Sequence, residues 1–193
     1  MSVKLLFFAG SARKASLNKR LVKAASLKAE EFGAEITIVD LKDYQMPIYC
    51  GDIEESDGVP EAAQKLAEIV KQHDGIFIAC PEYNSSITPL LKNTLDWVSR
   101  LKTDATPPRT PWHDRVYAIG GTSMGMMGGL RGIQYMAQLL INGYQLQVIP
   151  QTVAVGKGHE IIEDDGSITN PQVEAMLIGS MKALVETAQK LKS

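Results

Sequence analysis

Cysteine and long apolar runs are both scarce in this sequence. Two thiols, Cys50 and Cys80, are too few for a disulfide framework in a chain of 193 residues. Cys80 lies in an apolar run, where a buried and unreactive thiol is expected. No segment approaches the roughly 20 apolar residues of a membrane span, and the first residues carry no apolar block typical of a signal peptide. We therefore expect a cytoplasmic protein without a membrane anchor.

Positive charge and clustered histidines are also lacking. A formal net charge of -2 and a pI near 5.9 provide no electrostatic footprint for nucleic acid. The three histidines, His73, His113 and His159, are far apart and lack Cys or carboxylate neighbours at ligand spacing, which argues against a structural metal. The remaining composition, 45% hydrophobic and 22% charged, is typical of one globular domain spanning residues 1–193.

Apolar runs alternate with amphipathic segments along the chain. Strands are predicted at 3–9, 36–39, 76–80 and 116–119, and a fifth at 146–155 that Pro150 interrupts. Amphipathic helices are predicted after each strand, with Ser16, Thr88 and Asn170 as N-caps. Residues 41–59 and the proline-rich residues 102–114 are predicted to be loops. This βαβαβαβαβα order indicates an α/β fold, a doubly wound parallel sheet with helices on both faces.

Four polar side chains follow the first predicted strand: Ser11, Arg13, Ser16 and Asn18. They lie between a buried strand and a helix N-terminus, where free backbone N–H groups and the positive helix end attract an anion. This pattern favours a phosphate site, although an ordinary polar turn with a serine cap has the same composition. The segment lacks both the Walker ending and the dinucleotide fingerprint, which disfavours a nucleoside triphosphate site or a typical NAD fold.

A polar and aromatic segment, residues 81–86, follows the third predicted strand. In open parallel sheets, ligands bind beyond the carboxyl ends of the strands, so this segment is expected to meet the first one. Its backbone amides, hydroxyls and one ring suit the edge of a flat heterocycle. The alternative is a common turn in which Tyr83 only covers the core.

A glycine-rich segment, residues 120–129, follows the fourth predicted strand. Within it, Gly121-Thr122-Ser123-Met124-Gly125 matches the G-x-S-x-G elbow of serine hydrolases. The elbow's partners should follow as an acid and then a histidine, but no Asp or Glu lies between Ser123 and His159. The competing interpretation is that small residues here allow the backbone to approach a ligand.

Taken in order, segments 10–18, 81–86 and 123–131 resemble those of the NAD(P)H-dependent FMN reductases of flavodoxin-like fold, which include quinone, azo and chromate reductases. The resemblance implies a five-stranded sheet in the order 2-1-3-4-5. The resemblance also implies an FMN site, in which Ser11, Arg13, Ser16 and Asn18 hold the phosphate, Leu17 lies beside them, and Pro81, Glu82, Tyr83, Asn84, Ser85, Ser86 and Ser123 line the isoalloxazine. Relatives often have a Pro-Gly pair where this chain has Thr88-Pro89, a departure at the exit of the second segment.

The resemblance implies an oxidoreductase that takes hydride from NADPH or NADH onto flavin and then reduces a small electron acceptor, such as a quinone or free flavin. No protein acid or base is required, because the cofactor carries the chemistry. The alternative is a flavodoxin-type electron carrier without a nicotinamide site. Arg13, Lys14 and the small net charge favour the reductase over a carrier with a strongly acidic docking face.

A homodimer or homotetramer is a further implication of the resemblance. Five large apolar side chains support it, because we predict that they are more exposed than such groups usually are. These are Trp97, Trp112, Met124, Met126 and Met127. The alternative is that they cover the core or the flavin.

Overall fold

Three strongly apolar strands form the centre of the sheet in the computed structural model, which describes residues 2–192. These are β1 (Lys4–Ala9), β3 (Gly75–Ala79) and β4 (Val116–Thr122). The outer strand β2 (Glu35–Asp40) pairs with β1, while β5 (Gln147–Val148) and β6 (Val153–Val155) both pair with β4. All pairs are parallel, and the order is β2-β1-β3-β4-β5 with β6 also on β4. The predicted fold and strand order are confirmed, and the last strand is split around Pro150.

Helices cover both faces of the sheet. On one face lie α1 (Leu17–Glu31) and α7 (Pro171–Lys192), and on the other lie α3 (Glu61–Lys71), α4 (Pro89–Ser99) and α5 (Leu130–Gln138). Side chains of β1 alternate between the two cores, because successive residues of a strand point to opposite faces. Two short helices, α2 (Gly51–Asp57) and α6 (Gly158–Ile161), lie in connections, together with a 3-10 turn at Leu41–Asp43 and a π-helical turn at Leu139–Gly143.

Two of the three predicted N-caps make the expected side-chain hydrogen bonds. Thr88 Oγ1 accepts from Leu91 N, and Pro89 takes the first helical position. Asn170 Oδ1 accepts from the backbone N–H groups of Gln172 and Val173. Both caps satisfy donors that a helix start otherwise leaves unpaired. Ser16 differs, because it occupies the N-cap position of α1 without a side-chain hydrogen bond to the helix.

The prediction that residues 41–59 form only a loop is wrong. This segment contains a 3-10 turn and the helix α2. None of the residues of α2 is buried, so the helix has no apolar stripe by which the sequence could have revealed it. The proline-rich residues 102–114 contain no helix or strand, as predicted.

The prediction that the two tryptophans are exposed is also wrong. Trp97 and Trp112 are both fully buried. Trp97 Nε1 donates to the carbonyl of Pro47 at 2.7 Å, so the segment before α2 covers this ring. Trp112 Nε1 donates to the carbonyl of Leu95 at 3.2 Å, deep against α4. These rings therefore belong to the protein's own core, whereas the three loop methionines are 54–75% exposed.

Within residues 2–192, no helix combines the length and the apolar character needed to cross a membrane.

Candidate functional site

Three loops at the carboxyl-terminal edge of the sheet enclose a cavity of about 190 Å³. They are the serine loop (residues 10–18) after β1, the hairpin loop (residues 81–86) after β3 and the glycine loop (residues 123–129) after β4. Every predicted site residue except Asn84, Ser85 and Ser86 lies on the wall of this cavity. Thr122 and Met124 also lie there and were not predicted. The full wall consists of Ser11, Arg13, Ser16, Leu17, Asn18, Pro81, Glu82, Tyr83, Thr122, Ser123 and Met124.

The serine loop presents buried hydroxyls beside an exposed cation. Ser11 and Ser16 are 9% and 6% exposed, whereas Arg13 is exposed. Ser11 Oγ accepts from Arg13 N at 3.3 Å, and the Ser16 hydroxyl makes no cap bond to α1. The first turn of α1 carries no acidic side chain to offset its positive end. This donor set fits a phosphate monoester, because an anion there meets hydroxyls, a guanidinium and a helix N-terminus together.

Asn18 joins the serine loop to the end of β4. Its Nδ2 donates to the carbonyl of Thr122 at 3.0 Å, and its Oδ1 accepts from Thr122 N at 3.1 Å. The amide therefore pairs with the backbone as a neighbouring strand would. It keeps one N–H and one lone pair for a ligand. This contact spans 104 residues of sequence, so local spacing could not reveal it.

The hairpin loop has the geometry of a two-residue β-turn. Tyr83 and Ser86 exchange backbone hydrogen bonds of 2.9 and 3.0 Å. Asn84 and Ser85 between them have φ values of 49° and 69°, as in a type I′ turn. The turn removes Asn84, Ser85 and Ser86 from the cavity wall and leaves the ring of Tyr83 on it, 55% exposed at the mouth.

The glycine loop is held by the chain that returns after β6. Gly158 N donates to the carbonyl of Ser123 at 2.9 Å, and Lys157 N donates to that of Gly125 at 3.0 Å. A Cβ at Gly158 would lie 1.9 Å from Thr122 Oγ1, so only glycine allows this approach. Sequence reasoning missed this support, and its one signal was the pair of glycines on either side of Lys157.

Ser123 has no hydrolase geometry around it. Its hydroxyl donates to the carbonyl of Gly125 at 3.1 Å rather than to a histidine. Cys80, just below the cavity, is also unsuited to nucleophilic chemistry, because burial raises the pKa of its thiol to about 12. The site therefore offers binding groups rather than an activated nucleophile.

Comparison with known proteins decides the class of this site. Residues 3–160 match the family of NADPH-dependent FMN reductases. The chain belongs to that family. Membership confirms the predicted family, and the serine loop presents two hydroxyls, a guanidinium and a helix N-terminus to the cavity.

Two relatives carry names that describe quinone reduction. The chain is 35% identical to a quinone reductase of Escherichia coli K12 over 135 residues, 68% of this chain and 66% of the relative, slightly under two thirds of its length. It is 32% identical over 196 residues to a probable NADPH:quinone oxidoreductase of Oryza sativa, covering 99% of this chain and 91% of the relative. The chain also shares its fold with a flavoenzyme NAD(P)H:acceptor oxidoreductase (FerB) of Paracoccus denitrificans, with a TM-score of 0.76, 24% identity, and coverage of 97% and 98% of the two chains.

Proposed function

We propose that this protein oxidises NADPH or NADH and passes the electrons through FMN to small, flat acceptors of the quinone type. The observation that carries the proposal is the cavity itself, where two buried hydroxyls and a guanidinium face the hairpin loop and the glycine loop in a chain of the FMN reductase family. Names of the two relatives support quinones as the acceptor class.

Residues of the serine loop hold the phosphate in this proposal. Ser11 and Ser16 supply hydroxyls from a largely dry wall, and Arg13 supplies the compensating charge. Leu17 and Asn18 complete this end of the site, with Asn18 also fixing the distance to β4. One phosphate nest without a dinucleotide fingerprint suits FMN rather than FAD.

The other walls hold the flavin ring and admit substrates. Pro81, Glu82 and Ser123 line the ring, with Tyr83 and Met124 at the mouth, where they are 55% and 70% exposed. Asn84, Ser85 and Ser86 act indirectly in this proposal, by fixing the turn that holds Tyr83. Bound FMN supplies hydride acceptance and donation, and the protein residues orient it and exclude water from one side.

A homodimer or homotetramer in the cytoplasm completes the proposal. The cavity of about 190 Å³ is smaller than typical small-molecule sites of roughly 300–1,000 Å³, which supports completion of its open side by a second subunit. Met124 on the cavity wall, with Met126 and Met127 in the same glycine loop, supplies exposed apolar area. Size-exclusion chromatography with light scattering on the FMN-loaded protein tests this. A fully active monomer would contradict it.

Steady-state kinetics of the FMN-loaded protein test the function directly. We expect oxidation of NADPH or NADH with a quinone, an azo dye, chromate or free flavin as acceptor, and parallel double-reciprocal plots, because donor and acceptor share one face of the flavin. Intersecting lines would reject the shared pocket. Tight FAD binding would reject the site, and FMN binding without nicotinamide oxidation would favour the electron carrier.

A further inference from the structure

The carboxylate of Glu82 lies between the cavity and the N-terminus of α5. Its Oε2 accepts from the backbone N–H groups of Arg131 and Gly132, both at 3.1 Å. Its Oε1 pairs with Arg131 Nη2 at 2.7 Å. The Glu82 side chain is 11% exposed, whereas that of Arg131 is 57% exposed. The carboxylate is therefore a largely dehydrated charge on the wall of the FMN cavity.

This contact replaces the cap that α5 lacks. Gly129 occupies the N-cap position with a φ of 80° and has no side chain to accept from the helix. The acceptor comes instead from the hairpin loop, 49 and 50 residues earlier in the sequence. Gly132 lets the two segments approach, since a Cβ there would lie 3.3 Å from Glu82 Cβ. One side chain thus fixes the hairpin loop to the helix that follows the glycine loop.

The same contact balances charge next to the cavity. A helix N-terminus acts as roughly half a positive charge, and the guanidinium of Arg131 adds a full one. Glu82 offsets most of this with its single negative charge. Reduced flavin is more negative than oxidised flavin, so uncompensated positive charge nearby would favour the reduced form. The Glu82 carboxylate opposes that preference.

We propose that Glu82 is a positioning residue that keeps the reduction potential of the bound FMN low by offsetting the charges of Arg131 and the α5 N-terminus. The inference rests on the FMN site proposed above and adds a role that contact with the ring alone does not require. A lower potential makes the bound flavin a stronger reductant for its acceptor. Glu82 and Arg131 therefore shift the potential in opposite directions.

Three variants separate the charge from the shape. Glu82→Gln keeps an oxygen for the two N–H groups but removes the charge, and it should raise the potential. A tenfold change in the ratio of the affinities for reduced and oxidised FMN corresponds to about 30 mV for a two-electron couple, the size we expect. Arg131→Met should lower the potential by a similar amount, about 30 mV. The double variant should return toward wild type, because the two removed charges have opposite signs, and the departure from additivity measures the coupling of the pair.

Equilibration with reference dyes under anaerobic conditions measures the potential of each FMN-loaded protein. Glu68→Gln is the matched control, because it breaks a 2.7 Å pair with Lys71 on α3, away from the cavity wall. Its potential should equal that of wild type. Shifts of opposite sign for Glu82→Gln and Arg131→Met support the inference. Unchanged potentials, or shifts of the same sign in both, overturn it.

A fluorescence titration with FMN precedes these measurements and separates the two proposals. Wild-type protein that does not bind FMN would reject the proposed function itself. Wild-type binding with a Glu82→Gln protein that binds FMN more weakly at an unchanged potential would reject the electrostatic role alone. Arg131 is more than half exposed, so its replacement keeps the test available if Glu82→Gln folds poorly.

Discussion

At the amino-terminal edge of the sheet charged side chains are bonded to the protein itself, whereas at the carboxyl-terminal edge several polar groups keep bonding capacity for a ligand. Arg115, just before β4, donates to the carbonyls of Val70 and Lys71 at 2.7 Å each, and to that of His113. At the other edge, the Ser16 hydroxyl makes no hydrogen bond to the start of α1, and Arg13 lies on the cavity wall. Similar residue types thus bond to the protein at one edge and keep bonding capacity for the proposed ligand at the other.

Cavity size alone would have suggested the opposite assignment. A larger cavity of about 320 Å³ opens at the amino-terminal edge, with Arg109 and Arg115 on its wall. Its cations are already paired, since Arg109 Nη1 lies 2.6 Å from Asp114 Oδ1 and Arg115 caps the end of α3. Donors with remaining bonding capacity, rather than cavity volume, therefore support the carboxyl-terminal edge as the proposed binding edge.

Arg115→Met should give the largest effect, and that effect should be on stability. Removing the half-buried guanidinium leaves three carbonyl oxygens without their charged donor, so we expect a loss of about 3 kcal/mol or more of unfolding free energy. FMN affinity of the folded protein should stay within about twofold of wild type. Urea unfolding and an FMN titration measure the two quantities.

Arg109→Met is the control for that variant. It removes a cation from the wall of the same cavity, but Arg109 and its partner Asp114 are both about half exposed. It should cost under about 1 kcal/mol. Equal losses for the two variants would contradict the distinction between bonded and exposed cations at this edge.

Arg13→Ala should weaken FMN binding and leave stability almost unchanged, the opposite of Arg115→Met. We expect FMN binding to weaken roughly tenfold to a hundredfold, because one charge-assisted hydrogen bond to phosphate contributes about 1.5–3 kcal/mol. Stability without FMN should change by under about 0.5 kcal/mol, since the side chain is exposed. Lys14→Ala removes the same charge one residue away, off the cavity wall, and should weaken binding less than about threefold. Equal effects of the two substitutions would reduce Arg13 to a general electrostatic contribution.

Two residues with hydroxyl side chains, Ser16 and Thr88, occupy N-cap positions at the carboxyl-terminal edge and sharpen the comparison further. Thr88 Oγ1 accepts from Leu91 N at 3.3 Å and donates to the carbonyl of Gly10 at 2.7 Å, so Thr88→Ala should cost about 1–2 kcal/mol of stability. Ser16→Ala should cost little stability, because its hydroxyl makes no cap bond. It should instead weaken FMN binding about tenfold, which corresponds to about 1.5 kcal/mol, the lower end of the range for a hydrogen bond to a charged group.

Unfolding curves and FMN titrations of both cap variants are needed together. A stability loss at Ser16 as large as that at Thr88 would show that the Ser16 hydroxyl serves the fold rather than the ligand.

Much of this architecture follows from local sequence. The central strands are continuous apolar runs, Thr88 and Asn170 precede prolines as helix caps, and the polar loops follow directly on strands. Each of these signals spans fewer than ten residues. The three loops could therefore be assigned to one site before any contact between them was known, because carboxyl ends of parallel strands share an edge.

The remaining features depend on contacts between distant residues. Trp97 is buried because Pro47 lies over it, and nothing in the amphipathic pattern of α4 indicates that cover. Asn18 and Glu82 have side chains suited to bind a ligand, yet each already forms hydrogen bonds to backbone groups 49 to 104 residues away in the sequence. A sequence pattern reveals which groups can bind, but not which of their bonds the fold has already used.

The smallest expected effect returns to the amino-terminal edge and concerns pH. His73, before β3, is 7% exposed, and its Nδ1 lies 2.6 Å from the carbonyl of Ile69. Burial lowers the pKa of His73 below its ordinary 6.5, and the nearby positive charges of Lys4 and Arg115 act in the same direction. The unfolded chain therefore binds a proton more readily than the folded protein. The contribution of neutral His73 to the free energy of unfolding should be fully present above pH 6.5 and should be lost as the pH drops below it.

One titrating group can change stability by at most about 1.4 kcal/mol per pH unit, so the comparison needs a matched variant. His73→Asn keeps an N–H donor near the position of Nδ1 and cannot titrate. Its unfolding free energy should be flatter than that of wild type between pH 7.5 and pH 5.5 (about the range that histidine controls). Below this range both proteins should lose stability together, because the pKa values of Asp40 and Asp74 are also lowered and their protonation destabilises the fold in acid. Urea unfolding at constant ionic strength gives the two curves. If they run parallel through the histidine range, the neutral state of His73 does not contribute to the stability of this edge.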